Sequence, residues 1–271
     1  MPKNEPSCVK FKSWIIQDVF DVLWLNRSVV AAAVSWLALF AVFDAIVPHP
    51  ALLGPDGVLS LGGTCWFVAR ALVDAVALIV VGISAQLSCL TRQGGWGAIL
   101  AANRKAVLCC SVGMWGLAVL TITMVLVYQQ FFVADIIRVL LGSSREPSHS
   151  GRLLIGAFIL VGFLGVIALV ANWFAAILAG ADRSMRTTWQ RGRGTFLYVI
   201  WRLVAVLLFL PVISTLIVPV IGQMVAIFHV LGIPADVAVL GVRALAAGVI
   251  ACFVSMLLSV IFVRAFVISL K

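Results

Sequence analysis

Charged side chains inside apolar stretches are the residues of this chain whose type and position could do chemistry. A charge in hydrocarbon is costly, so such residues are candidates for ion pathways or proton relays. Seven of them map to the same half of the predicted membrane spans: Asp44, Arg70, Asp74, Asp135, Arg138, Asp236 and Arg243. One interpretation makes them a polar vestibule or relay that faces the outside of the cell.

The spacing of these charges also allows a purely structural interpretation. Each arginine has a carboxylate three, four or seven residues away, and these spacings share one helix face. The pairs are Arg70 with Asp74, Arg138 with Asp135, and Arg243 with Asp236. We favour structural pairs that neutralise one another, because every arginine has such a partner.

The chain has three histidines, His49, His149 and His229. Three imidazoles could bind zinc, copper or a haem iron. None of the three has a second ligand at short spacing, so we favour histidines at the membrane surface. The sequence therefore predicts neither a metal site nor a cofactor.

Familiar catalytic signatures are missing from the sequence. There is no Walker motif, no HExxH and no GxSxG. There is no arginine-rich voltage helix and no recognisable selectivity filter. The six cysteines form no CxxC pair, and we predict no structural disulfide. These absences argue against a stand-alone enzyme, an ATPase or a channel of a known type.

Six long apolar stretches must position the charged residues. They cover residues 28–47, 66–90, 106–128, 153–180, 195–220 and 237–263. Each has at least about 20 residues, enough for a helix to cross a hydrocarbon core of about 30 Å. Because 63% of the chain is hydrophobic and only 11% is charged, no soluble domain is expected. We predict an all-α polytopic membrane protein that forms one domain over residues 1–271.

Basic residues predict the orientation of the spans. They collect on one side of the membrane, whereas the loop 48–65 on the other side contains no lysine or arginine. The positive-inside rule then places both termini in the cytoplasm. Five basic residues beside the spans are candidates for anionic lipid headgroups: Arg27, Arg104, Lys105, Arg191 and Arg193. This placement explains the net charge of +9 without nucleic acid.

The segments on the basic side resemble one another. Residues 14–27, 96–105 and 189–194 each combine aromatic residues with a basic cluster before an apolar stretch. We therefore expect three units, each made of an interfacial helix and two spans, although the identity between them is low. Such repeats can frame a central site.

Residues 1–27 are expected to hold an interfacial helix. A shared helix face carries Phe11, Trp14, Ile15, Val19 and Val22. A plain solvated helix is the alternative. The acidic residues in this segment do not fit a cleaved signal peptide, so we expect the first span to remain as an anchor.

Two prolines interrupt the fifth apolar stretch. Pro211 and Pro219 each remove a backbone donor, and Gly222 and Gln223 follow them. One interpretation is a span that then breaks into a re-entrant or surface piece before His229. A tolerated proline kink is the alternative.

Part of the chain resembles a known family. Residues 177–180 read ILAG, and residues 184–196 read SMRTTWQRGRGTF. This run resembles the bacterial YciC-like membrane proteins, which include membrane domains attached to some glycerophosphodiester phosphodiesterases. The resemblance implies six spans and an address in the bacterial inner membrane. No phosphodiesterase domain accompanies it here, so it implies no catalysis.

Three functions are open to such a chain. The first is a non-enzymatic accessory, scaffold or envelope-maintenance factor that acts through helix contacts with another membrane protein or complex, or through lipid. The second is a small-molecule or lipid transporter with a polar vestibule. The third, an intramembrane enzyme that uses Asp44, Asp74 or the histidines, has the least support. The expected partners are membrane lipids and another membrane protein, not nucleic acid.

Overall fold

A computed structural model describes residues 11–12, 14–52, 59–128, 149–182 and 184–270 of the chain. The described residues form eight helices and no β-strand. The helices are α1 (Ile15–Leu25), α2 (Arg27–Ile46), α3 (Leu61–Thr91), α4 (Gly95–Ala101), α5 (Arg104–Tyr128), α6 (His149–Leu178), α7 (Met185–Val230) and α8 (Ala235–Ile268). Helices α2, α3, α5, α6, α7 and α8 contain segments long and apolar enough to cross a membrane. The predicted all-α polytopic fold is confirmed.

Helix α7 corrects one expectation. It continues through Pro211 and Pro219 as a single helix of 46 residues, so the interpretation that places a break before His229 is wrong. Each proline removes one backbone donor. Ending the helix in hydrocarbon would instead leave a whole set of N–H and C=O groups unpaired, which costs more than the two lost bonds.

Helix α8 lies at the centre of the bundle. It packs against α1, α2, α3, α6 and α7. Its last third is the most buried part of the described chain. Between residues 256 and 267, every residue except Leu258 is buried. The packing is therefore tightest at the end of the bundle that also holds α1, called the α1 end below.

Helix α1 has apolar side chains on two faces. Val19 and Val22 are buried against the bundle, whereas Trp14, Phe20 and Trp24 are exposed. One face thus packs on the protein while the other presents aromatic rings, as expected of a helix between a bundle and lipid headgroups. In the third proposed unit no separate short helix exists, because residues 189–194 belong to α7.

A buried ion pair joins α1 to α8. The Nε of Arg264 donates to Asp18 Oδ2 at 2.9 Å, and its Nη2 donates to the same carboxylate. Nη2 also donates to the backbone oxygen of Lys12 at 2.6 Å, and the guanidinium lies over the Phe11 ring. Both charged side chains are less than 10% exposed. An ion pair this deep needs its remaining hydrogen bonds satisfied, and these contacts supply them.

Asn26 occupies the junction between α1 and α2 and is 1% exposed. Its Nδ2 donates to Val22 O at 2.7 Å and to Ser88 Oγ at 2.8 Å. Its Oδ1 accepts from the Gly95 N–H at 2.8 Å and from the Ser84 hydroxyl. A single amide therefore holds α2, α3 and the start of α4 together, with both of its polar atoms satisfied.

Gly192 marks a close crossing of α6 and α7. A Cβ placed there would lie 2.2 Å from the backbone oxygen of Leu169. Just beside this crossing, Asn172 Nδ2 donates to Thr195 Oγ1 at 2.9 Å. Small residues permit such approaches in membrane bundles, where packing rather than hydrophobicity drives association.

Replacing Asp18 by Asn should destabilise the protein strongly. The change leaves the buried Arg264 guanidinium without a counter-charge, which costs about 3–5 kcal/mol. The free energy of unfolding in mixed micelles measures the effect. Asp21→Asn is the matched control, because its pair with Lys12 is exposed and should contribute less than about 1 kcal/mol. Equal losses in the two variants would contradict the assignment.

Gly192→Ala and Gly194→Ala should shift stability in opposite directions. Gly192→Ala places a methyl group against the α6 backbone and should lower the free energy of unfolding by about 1–3 kcal/mol. The second meets nothing within 4 Å, and alanine favours the helix by up to about 1 kcal/mol. Thermal unfolding of the two variants beside the parent chain tests this, and a stabilised Gly192→Ala variant would refute the close crossing.

Candidate functional site

A cavity of about 730 Å³ that is widely open to the exterior of the bundle lies between α3, α5, α7 and α8. Helix α3 lines it with the face that runs from Ala71 to Gly82, and α8 lines it with the face from Ala247 to Phe262. Met114 and Thr121 of α5 and Leu210 of α7 belong to the other walls. Cavities of this size in proteins typically hold small molecules or cofactors.

The few hydroxyl groups of this cavity are already hydrogen-bonded. Ser255 donates to Leu78 O at 3.0 Å, and Ser259 donates to Gly82 O at 3.2 Å. Thr121 donates to the carbonyl of its own helix one turn earlier. The remaining lining is almost wholly aliphatic, apart from Asp74. Such a surface suits hydrocarbon rather than a polar solute.

A cluster of polar and aromatic residues joins α2 to α3 at the end of the bundle opposite α1. Trp66 Nε1 donates to Asp44 Oδ1 at 2.5 Å. His49 Nε2 lies 3.7 Å from the same oxygen, and its ring stacks on Trp66 with centroids 5.1 Å apart. In the sequence, Asp44 is a charged candidate and His49 is one of three unrelated histidines. The fold brings the two together around one indole ring.

Arg70 and Asp74 continue this cluster along α3 toward the cavity. Arg70 Nη2 lies 3.1 Å from Asp74 Oδ1 and also contacts the Leu37 backbone oxygen at 3.5 Å. The guanidinium lies over the Phe40 ring. The expected pair of Arg70 with Asp74 is therefore present, and of the charged candidates that the structure describes only Asp74 lines the cavity.

Among the residues that the structure describes, the remaining charged candidates do not join this cluster. Asp236 and Arg243 are both exposed, and the described residues contain no ion pair between them. Asp135 and Arg138 lie outside the described residues. So do the side chains of His149 and His229, although both residues belong to helices. Within the described ranges, no group of three or more His, Cys, Asp or Glu residues is arranged to hold a metal ion.

The five headgroup candidates differ in their surroundings. Arg27, Arg104, Lys105 and Arg193 are exposed. Arg191 is half-buried, because its Nη1 donates to the Asp182 backbone oxygen at 2.8 Å and its guanidinium lies over the Phe266 ring. The exposed Arg27 lies over the Trp24 ring, 5.1 Å from its centroid, and Arg191 holds the start of α7.

Asp182 supports the N-terminus of α7. Its carboxylate accepts from the Thr187 hydroxyl at 2.6 Å and from the Ser184 N–H at 2.9 Å. These two hydrogen bonds, led by the one from Thr187, hold the pKa of Asp182 below its usual range. Ser184 is the N-cap residue, because its Oγ accepts from the Thr187 N–H at 3.3 Å, and Asp182 holds Ser184 in place.

Sequence reasoning missed the buried polar residues at the α1 end. Arg264 lies just beyond the predicted end of the sixth span, and Asp18 was assigned to an interfacial helix with no partner in the bundle. Gln86 is fully buried, and neither of its amide atoms has a hydrogen-bond partner among the described residues. A signal existed for all three, since each is a polar residue within or beside an apolar run.

Comparisons with known proteins add no relative: no family model, no curated protein and no solved structure matches this chain.

The Asp182 carboxylate should become protonated at low pH and lose its hydrogen bonds to Ser184 and Thr187. Because its pKa is lowered by folding, its stabilising effect is fully present above the ordinary value of 3.8 and is lost as the pH falls through the lower folded value. Hydrogen-exchange protection of the amides of residues 184–188, corrected for intrinsic rates, should drop below that pH. In Asp182→Asn the drop should disappear, and an unchanged pH profile would contradict this assignment.

Proposed function

We propose that this chain is a non-enzymatic membrane protein that binds the hydrocarbon chains of a membrane lipid in the cavity between α3, α5, α7 and α8. It would act through that lipid as an accessory or envelope-maintenance factor. The observation that carries the proposal is an aliphatic cavity of about 730 Å³ within a bundle of membrane-spanning helices. Its placement in a bacterial inner membrane, with both termini cytoplasmic, follows from the YciC-like resemblance and the basic loops.

The surroundings of the cavity favour hydrocarbon over a polar substrate. A polar solute leaves water only where hydrogen-bonding groups replace its hydration. Here the lining hydroxyls of Thr121, Ser255 and Ser259 already donate to backbone carbonyls. A lipid chain needs no hydrogen-bonding groups, and it can reach the protein from the surrounding bilayer.

A lipid transporter is the second candidate. The observation that favours it is the asymmetry of the bundle. The cavity reaches a charged residue, Asp74, at one end, while Phe262 and the buried last third of α8 close it toward the α1 end. In an alternating-access transporter the α1 end would have to open after the end near Asp74 has closed.

The exposed basic side chains fit a separate role at the α1 end. Arg27, Arg104, Lys105 and Arg193 would hold anionic headgroups at the cytoplasmic surface. The exposed apolar face of α7 after Leu207 would meet lipid or another membrane protein. Neither feature separates an accessory factor from a transporter, so the content of the cavity is the property to test first.

Filling the cavity should remove a bound lipid. Ala247 is exposed and lines the cavity, so a tryptophan at this position has room to enter it. Ala247→Trp should lower the amount of lipid that remains with the protein after extensive detergent washing, as measured by native mass spectrometry. Ala32→Trp, at an exposed alanine of α2 away from the cavity, is the matched control and should retain the lipid.

Two results would overturn the lipid-binding proposal. One is a parent protein that carries no lipid beyond the amount expected from the micelle. The other is equal retention of lipid in Ala247→Trp and Ala32→Trp, because the cavity would then not be the place of binding. A transporter is tested afterwards, by movement of a labelled lipid between the leaflets of proteoliposomes with and without the Ala247→Trp change.

A further inference from the structure

We propose that the bound lipid has a headgroup ending in a primary amine, and that this amine donates to Asp74. The inference rests on the proposed lipid-binding function and specifies the lipid. It is carried by the position of Asp74 between an aliphatic cavity and a charged cluster with an excess of carboxylates.

The hydrocarbon part of a lipid cannot be recognised by this cavity alone. Lipid chains in a bilayer are as apolar as the aliphatic side chains of the lining, so moving a chain between the two environments has little driving force. Any preference for one lipid must therefore come from a polar group at the end of the cavity. Asp74 is the one charged residue that the described lining offers.

The geometry leaves part of Asp74 available. Its Oδ1 faces Arg70 Nη2 at 3.1 Å, and its side chain is 29% exposed. Oδ1 is buried and, although it lies close to Arg70, accepts no hydrogen bond from the described residues. Since an ionised carboxylate only accepts hydrogen bonds, a ligand that meets this carboxylate must bring a donor. A primary ammonium group brings three donors and the opposite charge.

The charges around Asp74 select the same headgroup. Asp44 belongs to the same cluster, because it accepts from Trp66, one helical turn before Arg70 on α3. Arg70 offsets one of the two carboxylate charges, and it is itself held by Leu37 O and the Phe40 ring. The cluster thus holds two carboxylates and one guanidinium, with His49 beside Asp44. An anionic headgroup would add a third negative charge, whereas an ammonium group reduces the imbalance.

Aromatic rings extend the same preference. The Trp66 ring stacks on two other rings. Its centroid lies 6.3 Å from that of Phe43 and 5.1 Å from that of His49. Ring faces attract cations, including alkylammonium groups. The rings therefore favour a cationic headgroup over an anionic one, and the choice between a primary and a quaternary amine depends on Asp74 alone.

The test compares three lipids with identical chains. Phosphatidylethanolamine has a primary amine, phosphatidylcholine has a quaternary nitrogen without an N–H, and phosphatidylglycerol is anionic. Delipidated protein is titrated with each lipid in micelles, and binding is measured by native mass spectrometry. Phosphatidylethanolamine should bind about tenfold more tightly than phosphatidylcholine, because a charge-assisted hydrogen bond is gained. Phosphatidylglycerol should bind most weakly.

Two variants locate the preference. Asp74→Asn should remove the difference between phosphatidylethanolamine and phosphatidylcholine, while binding of the hydrocarbon chains remains. Asp44→Asn keeps the Arg70–Asp74 pair intact and should mainly relieve the penalty against phosphatidylglycerol. It also keeps the proposal testable if Asp74→Asn fails to fold. Asp236→Asn, an exposed acid that does not line the cavity, is the control and should leave all three affinities unchanged.

The outcomes separate this inference from the function on which it rests. If the three lipids bind equally and Ala247→Trp abolishes all binding, the lipid-binding function stands and the amine preference is wrong. If none of the lipids binds, the proposed function fails as well. A preference for phosphatidylethanolamine that persists in Asp74→Asn would overturn the assignment to Asp74.

Discussion

A guanidinium buried inside a membrane bundle must keep a counter-charge beside it, and the arrangement of this protein depends on how Arg264 obtains one. Its partner, Asp18, lies 246 residues earlier in the chain. Neither residue could be buried without the other, since an isolated charge costs several kcal/mol or more in a low-dielectric interior. The pair therefore fixes α1 against the end of α8 and makes the last helix the centre of the bundle.

The other polar contacts at the α1 end work in the same direction. Asn26 joins three elements with one amide, and Gly192 lets α6 and α7 approach at backbone distance. Small residues complete this packing, and Ala175 and Ala176 of α6 are fully buried. Toward the opposite end, side chains of α3 and α8 line the cavity instead. Tight polar anchoring at one end thus accompanies an open aliphatic space at the other.

The sequence predicts the fold better than the site. The six spans follow from composition, because in lipid an apolar run of 20 residues has no alternative to a helix. The Arg70–Asp74 pair follows from the spacing of its members on one helix. The contact of Asp18 with Arg264 and the convergence of Asp44, His49 and Trp66 depend on how different helices pack, which a pattern within one helix does not contain. The cavity is missed for the same reason, since its walls are ordinary aliphatic residues from four helices.

The length of α7 imposes a condition on the surrounding membrane. After Arg202 the helix continues for 26 residues, as far as Phe228, before it reaches another basic side chain, His229, and this run has a length of about 39 Å. The hydrocarbon core of a bilayer is only about 30 Å thick. The helix must therefore tilt, bend at Pro211 or Pro219, or force nearby lipids to stretch, and each adjustment costs a fraction of a kcal/mol per Å. Through this hydrophobic mismatch the protein would favour thicker bilayers and would order the shell of lipid next to it.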